Sequence, residues 1–115
     1  MSKSFTAITN HVSSNMAKLR KNIPETSKAF GQLAASASTD GVLDKKTKEL
    51  IALALAVGSR CDACIGFHTK ALVQLGATEQ EVSETLGVCV AMGGGPSMMY
   101  ATEAIAAFNE FSQQS

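Results

Sequence analysis

No stretch of the chain alternates apolar and polar residues with the period of two that a half-buried strand requires. Alanine, the best helix former, recurs throughout, so the fold expected is all-α. Punctuating residues divide it into about six helices. The first is expected over His11 to Lys21 and the second from Pro24, a residue suited to the first helical position, to about Ser36. Ser38-Thr39-Asp40-Gly41 reads as a loop, after which Asp44 can cap a third helix over Lys45 to Val57, with Gly58 at its C-terminal side. The unbroken apolar run from Leu50 to Val57 predicts that this helix is buried on all sides. A short Gly58-Ser59-Arg60 connection leads to a fourth helix from Cys61 to Leu75, stopped by Gly76, with both of its cysteines in the first turn. Thr78 and Glu81 have the spacing of a capping box opening a fifth helix to about Met92. Gly93-Gly94-Gly95-Pro96 breaks the chain before a last helix, Ser97 to Phe111.

A chain of 115 residues is expected to make a single domain over residues 1–115, with a modest core. Apolar residues make up 45% and charged residues only 17%, more apolar surface than so small a helical domain can hide, which predicts a homo-oligomer. Ten basic against ten acidic side chains leave no electrostatic footprint for nucleic acid or an anionic membrane. The uncharged stretch around Thr85 to Thr102 is cut by the glycines and Pro96, so neither half is expected to span a bilayer, and Met1 to Phe5 runs into polar Asn10-His11 without the apolar core of a secretory signal. A cytoplasmic protein is expected. In a reducing compartment a Cys-x-x-Cys pair points to catalysis or metal binding rather than to a structural disulfide.

Glu49, Cys61, Cys64 and His68 form a Glu-x11-Cys-x2-Cys-x3-His array. At about 100° per residue the two thiols and the imidazole project from one stripe of a helix. A thiol reacts as thiolate, and with a pKa of about 8.5 an unassisted cysteine is mostly protonated near neutrality. The helix N-terminus would help Cys61 most, whereas His68, four residues beyond Cys64, can take and return that thiol's proton. The histidine is weighed more heavily, making Cys64 the nucleophile and Cys61 the resolving thiol. Glu49 precedes the apolar run, where burying a lone carboxylate costs several kcal/mol unless it is protonated or paired; it is read as a relay partner of His68, the plainer alternative being a solvent-facing charge in a helix's first turn. Zinc held by the thiols and His68 is a further reading, but lacks a fourth ligand. Cys89, within Val88-Cys89-Val90, is expected to be a small buried hydrophobe.

The array, together with Leu43 to Glu49, the helix from Cys61 to Gly76, and Gly93-Gly94-Gly95-Pro96 followed by Met99-Tyr100-Ala101, resembles the AhpD-like alkylhydroperoxidase branch of the carboxymuconolactone decarboxylase family. The resemblance covers about residues 41 to 108. It implies an all-helical fold assembled as hexamers or trimers and peroxide reduction at the cysteine pair, with no bound cofactor. It also implies an external thiol reductant such as a lipoylated protein or thioredoxin. The longer peroxidases of the family carry a histidine between the cysteines, where this chain has Asp62-Ala63. The expected function is therefore a thiol-dependent peroxidase acting on hydrogen peroxide or organic hydroperoxides. The alternatives are lactone decarboxylation and a non-enzymatic redox sensor or helical assembly protein. With both cysteines inside one helical turn, disulfide closure would be expected to distort that turn.

Overall fold

The computed structural model describes residues 2–114, and all its regular elements are helices. In order they are α1 (Phe5–Asn22), α2 (Pro24–Ser38), α3 (Lys45–Gly58), α4 (Asp62–Gln74), α5 (Glu79–Gly93) and α6 (Gly95–Gln113). Helices α3 and α6 pack on each other and each packs on both α4 and α5, and α1 lies across α4 and α6. The core between them holds Leu53, Ile65, Leu72, Val82, Ala104 and Phe108, and Phe5 closes it from α1.

Three helix starts follow from local sequence. Asp44 accepts the Thr47 amide at 2.8 Å, Thr78 and Glu81 form the reciprocal capping box, and Pro24 opens α2. The start of α1 does not follow, since it lies six residues before the expected His11. Ser4 caps it from within, accepting from the Ala7 amide, but Glu110 of α6 also receives the Phe5 and Thr6 amides at 2.9 and 2.8 Å. A carboxylate from the far end of the chain thus satisfies donors that a helix start leaves orphaned.

Helix α4 is drawn close to α1 at Gly66, where a Cβ would stand 2.6 Å from the buried Thr9 Cγ2. Helices α3 and α4 end alike. At the end of α4 the amides of Gly76 and Ala77 return to Val73 and Leu72, with Gly76 left-handed at φ 76°. At the end of α3 the amides of Arg60 and Cys61 return to Val57 and Ala56 in the same pattern, but the left-handed residue, φ 57°, is Arg60. Gly58, expected to serve that end, is instead the last helical residue.

Helix α3 is not buried all round. Leu53, Ala56 and Val57 face the core, whereas Ile51 and Leu55 are exposed. Helix α2 buries none of its residues, and its Phe30 and Leu33 are 67% and 65% exposed. No described helix is long and apolar enough to cross a membrane.

The Glu110 carboxyl is raised by partial burial but held, on balance, below the usual glutamate range by hydrogen bonds from Thr6, Phe5 and Ser4. A carboxyl depressed in the folded state contributes stability that is complete above its unfolded value, about 4.3, and that fades as pH falls through the folded value. Glu110→Gln is expected to lower stability at neutral pH by about 1 kcal/mol, as loss of a helix cap does. It should also remove part of the stability loss below about pH 4.3, read by urea denaturation across pH.

Candidate active site

Cys61 is the N-cap of α4 rather than a residue of its first turn. Its backbone is extended (φ −107°, ψ 99°), and its Sγ accepts the Cys64 amide at 3.2 Å. The N-cap and the third helical residue are the two positions whose side chain and amide meet at any capped helix start. Two cysteines with two residues between them therefore face each other across the first turn without unwinding it. In the structure Cys61 and Cys64 are joined as a disulfide, with Cα atoms 5.2 Å apart. The distortion expected for a pair inside one turn does not arise, because Cys61 stands outside the helix.

One turn further along α4, His68 points toward α3. Its Nδ1 lies 2.6 Å from Glu49 Oε2. The glutamate side chain is only 11% exposed, the histidine 35%. This overturns the reading of Glu49 as a solvent-facing first-turn charge. A hydrogen bond from the ring to the carboxylate uses Nδ1–H as its donor, and Nε2 is then the ring nitrogen that does not face Glu49. The structure thus joins Cys61 to Cys64 and His68 to Glu49, and α4 carries both pairs, with His68 one turn beyond Cys64.

Asp62 occupies the first helical position between the cysteines, where a negative charge is favoured by the helix amides. Its Oδ2 pairs with Lys3 Nζ at 3.0 Å, and the Lys3 ammonium also lies 5.8 Å from the Tyr100 ring centroid. Its Oδ1 is buried with no hydrogen-bond partner among the described residues. Lys3 and Tyr100 were not among the candidates, since nothing in local spacing ties them to residue 62. Cys89 lies away from the pair, 9% exposed, its Sγ 3.5 Å from the Thr85 carbonyl oxygen and 3.7 Å from that of Ala54. Burial pushes its thiol above the ordinary range. Among the described residues no three His, Cys, Asp or Glu side chains gather into a metal-holding group.

The sequence profile of the Carboxymuconolactone decarboxylase family matches residues 24–107, and the chain belongs to that family. A family member from Legionella pneumophila, solved in its apo form, superposes with a TM-score of 0.94 at 57% identity, covering 96% of this chain and 99% of that one. A Thermotoga maritima member, for which a part in an antioxidative response has been suggested, superposes with a TM-score of 0.78 at 28% identity over 89% of this chain and 90% of its own. An uncharacterized protein of Cupriavidus necator is 43% identical over 86 residues, 75% of this chain and 76% of its length.

Mild oxidation of the reduced protein should yield a Cys61–Cys64 disulfide while Cys89 remains a free thiol, because its burial disfavours the reactive thiolate. Peptide mass mapping with and without reductant checks this; a dominant linkage through Cys89 would contradict it.

Proposed function

We propose that this protein is a thiol peroxidase of the alkylhydroperoxidase type, reducing hydrogen peroxide or organic hydroperoxides at Cys64 and Cys61 with Glu49 and His68 as a proton relay. The observation that carries the reading is the 2.6 Å contact between His68 Nδ1 and Glu49 Oε2 beside a joined cysteine pair. A histidine oriented by a carboxylate, with its other nitrogen free and a thiol one turn away on the same helix, is the arrangement that activates a nucleophile.

In the proposed cycle His68 Nε2 takes the Cys64 proton. The thiolate then attacks a peroxide oxygen and the O–O bond breaks. Cys64 becomes a sulfenic acid, and the departing alkoxide takes the proton back from His68 and leaves as an alcohol. The Cys61 sulfur next displaces the sulfenic oxygen, which leaves as water with the Cys61 proton. An external dithiol, a lipoylated protein or thioredoxin, returns two electrons and two protons to the disulfide. The preformed N-cap geometry lets the pair open and close without refolding α4, and no bound cofactor is used. A reducing cytoplasm suits such a cycle. Peroxide consumption by the purified protein, supplied in turn with dihydrolipoamide, thioredoxin and glutathione, tests the reading. Turnover of a carboxymuconolactone without peroxide consumption would favour the decarboxylase instead.

Glu49→Gln keeps the shape and a hydrogen bond to His68 but removes the titrating group, and should lower peroxidase turnover about 10²–10⁴-fold with folding retained. Combining it with His68→Ala should cost little more than either change alone, because the two act as a unit. Cys61→Ser should complete one round and trap a sulfenic acid at Cys64. A normal first turnover in Cys64→Ser, with the sulfenic acid at Cys61, would reverse the two roles.

We further propose a homo-oligomer, six subunits or otherwise three, in which the arm made by α1 and α2 docks through Phe30, Leu33, Met16 and Leu19, all of them exposed in the single chain. Light scattering should give a closed assembly, and Phe30→Glu should dissociate it without unfolding the subunit. A monomer at micromolar concentration would contradict the proposal.

A further inference from the structure

The left-handed backbone at Arg60 is unusual in kind. The two matching helix ends of this fold put glycine at the left-handed position after α4 and arginine after α3, although glycine adopts φ near +60° freely and a side chain does so only at a cost. Arg60 makes no ion pair among the described residues and lines a groove of about 400 Å³ between the C-terminal turns of α3 and α5 and the start of α6. Two further features of the groove are polar. Helix α6 begins without a side-chain cap, so its first amides have no partner from a side chain. Ser97, in its first turn, lines the groove, is only 8% exposed, and its hydroxyl, which still meets solvent, makes no hydrogen bond among the described residues. Room for Ser97 exists only because residue 93 is glycine, since a Cβ there would lie 2.8 Å from Ser97 Cβ. The remaining wall is apolar, with Leu55, Val88 and Met92 exposed along it.

A guanidinium, a hydroxyl in need of a partner and a helix N-terminus all suit an anion, and the wall beyond them suits a hydrocarbon. A single cationic side chain matches one negative charge better than the two of a phosphate monoester. We propose that this groove binds an amphipathic carboxylate, an organic acid whose head group meets Arg60, Ser97 and the start of α6 and whose apolar tail lies along Leu55, Val88 and Met92. Arg60 immediately precedes Cys61, so such a ligand would sit next to the cysteine pair in the chain. The proposal does not depend on the thiol chemistry, and binding can be read with both cysteines oxidised.

The test is calorimetric titration of the intact oxidised protein at low salt with decanoate and, as a matched neutral tail, 1-decanol, combined with hydrogen exchange of the segment from Val88 to Ser97. Decanoate should bind saturably at millimolar concentration or below and protect that segment, and 1-decanol should bind at least about tenfold more weakly, as loss of a charge-assisted contact implies. Arg60→Gln and Arg60→Gly should each weaken decanoate about tenfold, while Arg60→Gly, freed of the left-handed side chain, melts higher than the parent protein. Ser97→Ala should weaken binding several-fold. Equal affinity for decanoate and 1-decanol, an Arg60→Gln variant that binds normally, or the absence of saturable binding would overturn the proposal. Strong protection of Val88 to Met92 in the ligand-free protein, unchanged by decanoate, would also overturn it and make the groove a face between copies.

Discussion

A carboxylate inside a helical core has to be answered, and in this protein the answer to Glu49 is His68. The contact does more than quiet a buried charge. It crosses from α3 to α4 at the level of the first turn of α4, so it fixes the sliding of one helix against the other and the rotation of α4 about its own axis. The close approach of α4 to α1 at Gly66 restricts the same movements, and the hydrogen bond of 2.6 Å adds a directional restraint. With that register held, the N-cap residue of α4 and the sulfur it carries are placed relative to the imidazole. The site and the packing of α3 against α4 therefore meet in one contact, whose shape an amide at residue 49 keeps while its titrating group is lost.

The same region shows what the sequence could and could not tell. The four residues of the array were legible because each has a chemically distinctive side chain at helical spacing, and α2, α3 and α5 were legible at their starts because Pro24, Asp44 and Thr78 act within their own turns. The start of α1 was not, because its decisive partner is Glu110, and no local window contains both ends of that interaction. A finer signal was present: Phe5, Ile8, Val12, Met16 and Leu19 recur at intervals of three and four, the apolar stripe of a helix that begins well before His11. The position of Cys61 was misread by a single residue, but that residue decides whether disulfide closure works against the helix or with it.

The unbroken apolar run of α3 was mistaken for burial on all sides. Of its eight residues three are buried. Leu53, Ala56 and Val57 meet the core, while Ile51 and Leu55 look outward along with the whole of α2. A pattern of apolar residues records every surface a helix must hide and does not distinguish one hidden in its own fold from one hidden elsewhere. The excess of apolar side chains evident in composition thus reappears in the structure as exposed residues spread over several helices, among them Leu19 of α1, Phe30 of α2, Leu55 of α3, Met92 of α5 and Met99 of α6.

The Glu110 bridge has a bearing on how the chain is made. A ribosome releases α1 first, yet two of the amides at its start find their acceptor on α6, whose residues emerge last, and Phe5 enters a core to which α6 contributes Phe108 and Phe111. During synthesis, α1 can meet α4 once that helix has emerged, but the acceptor for its first amides arrives only with α6.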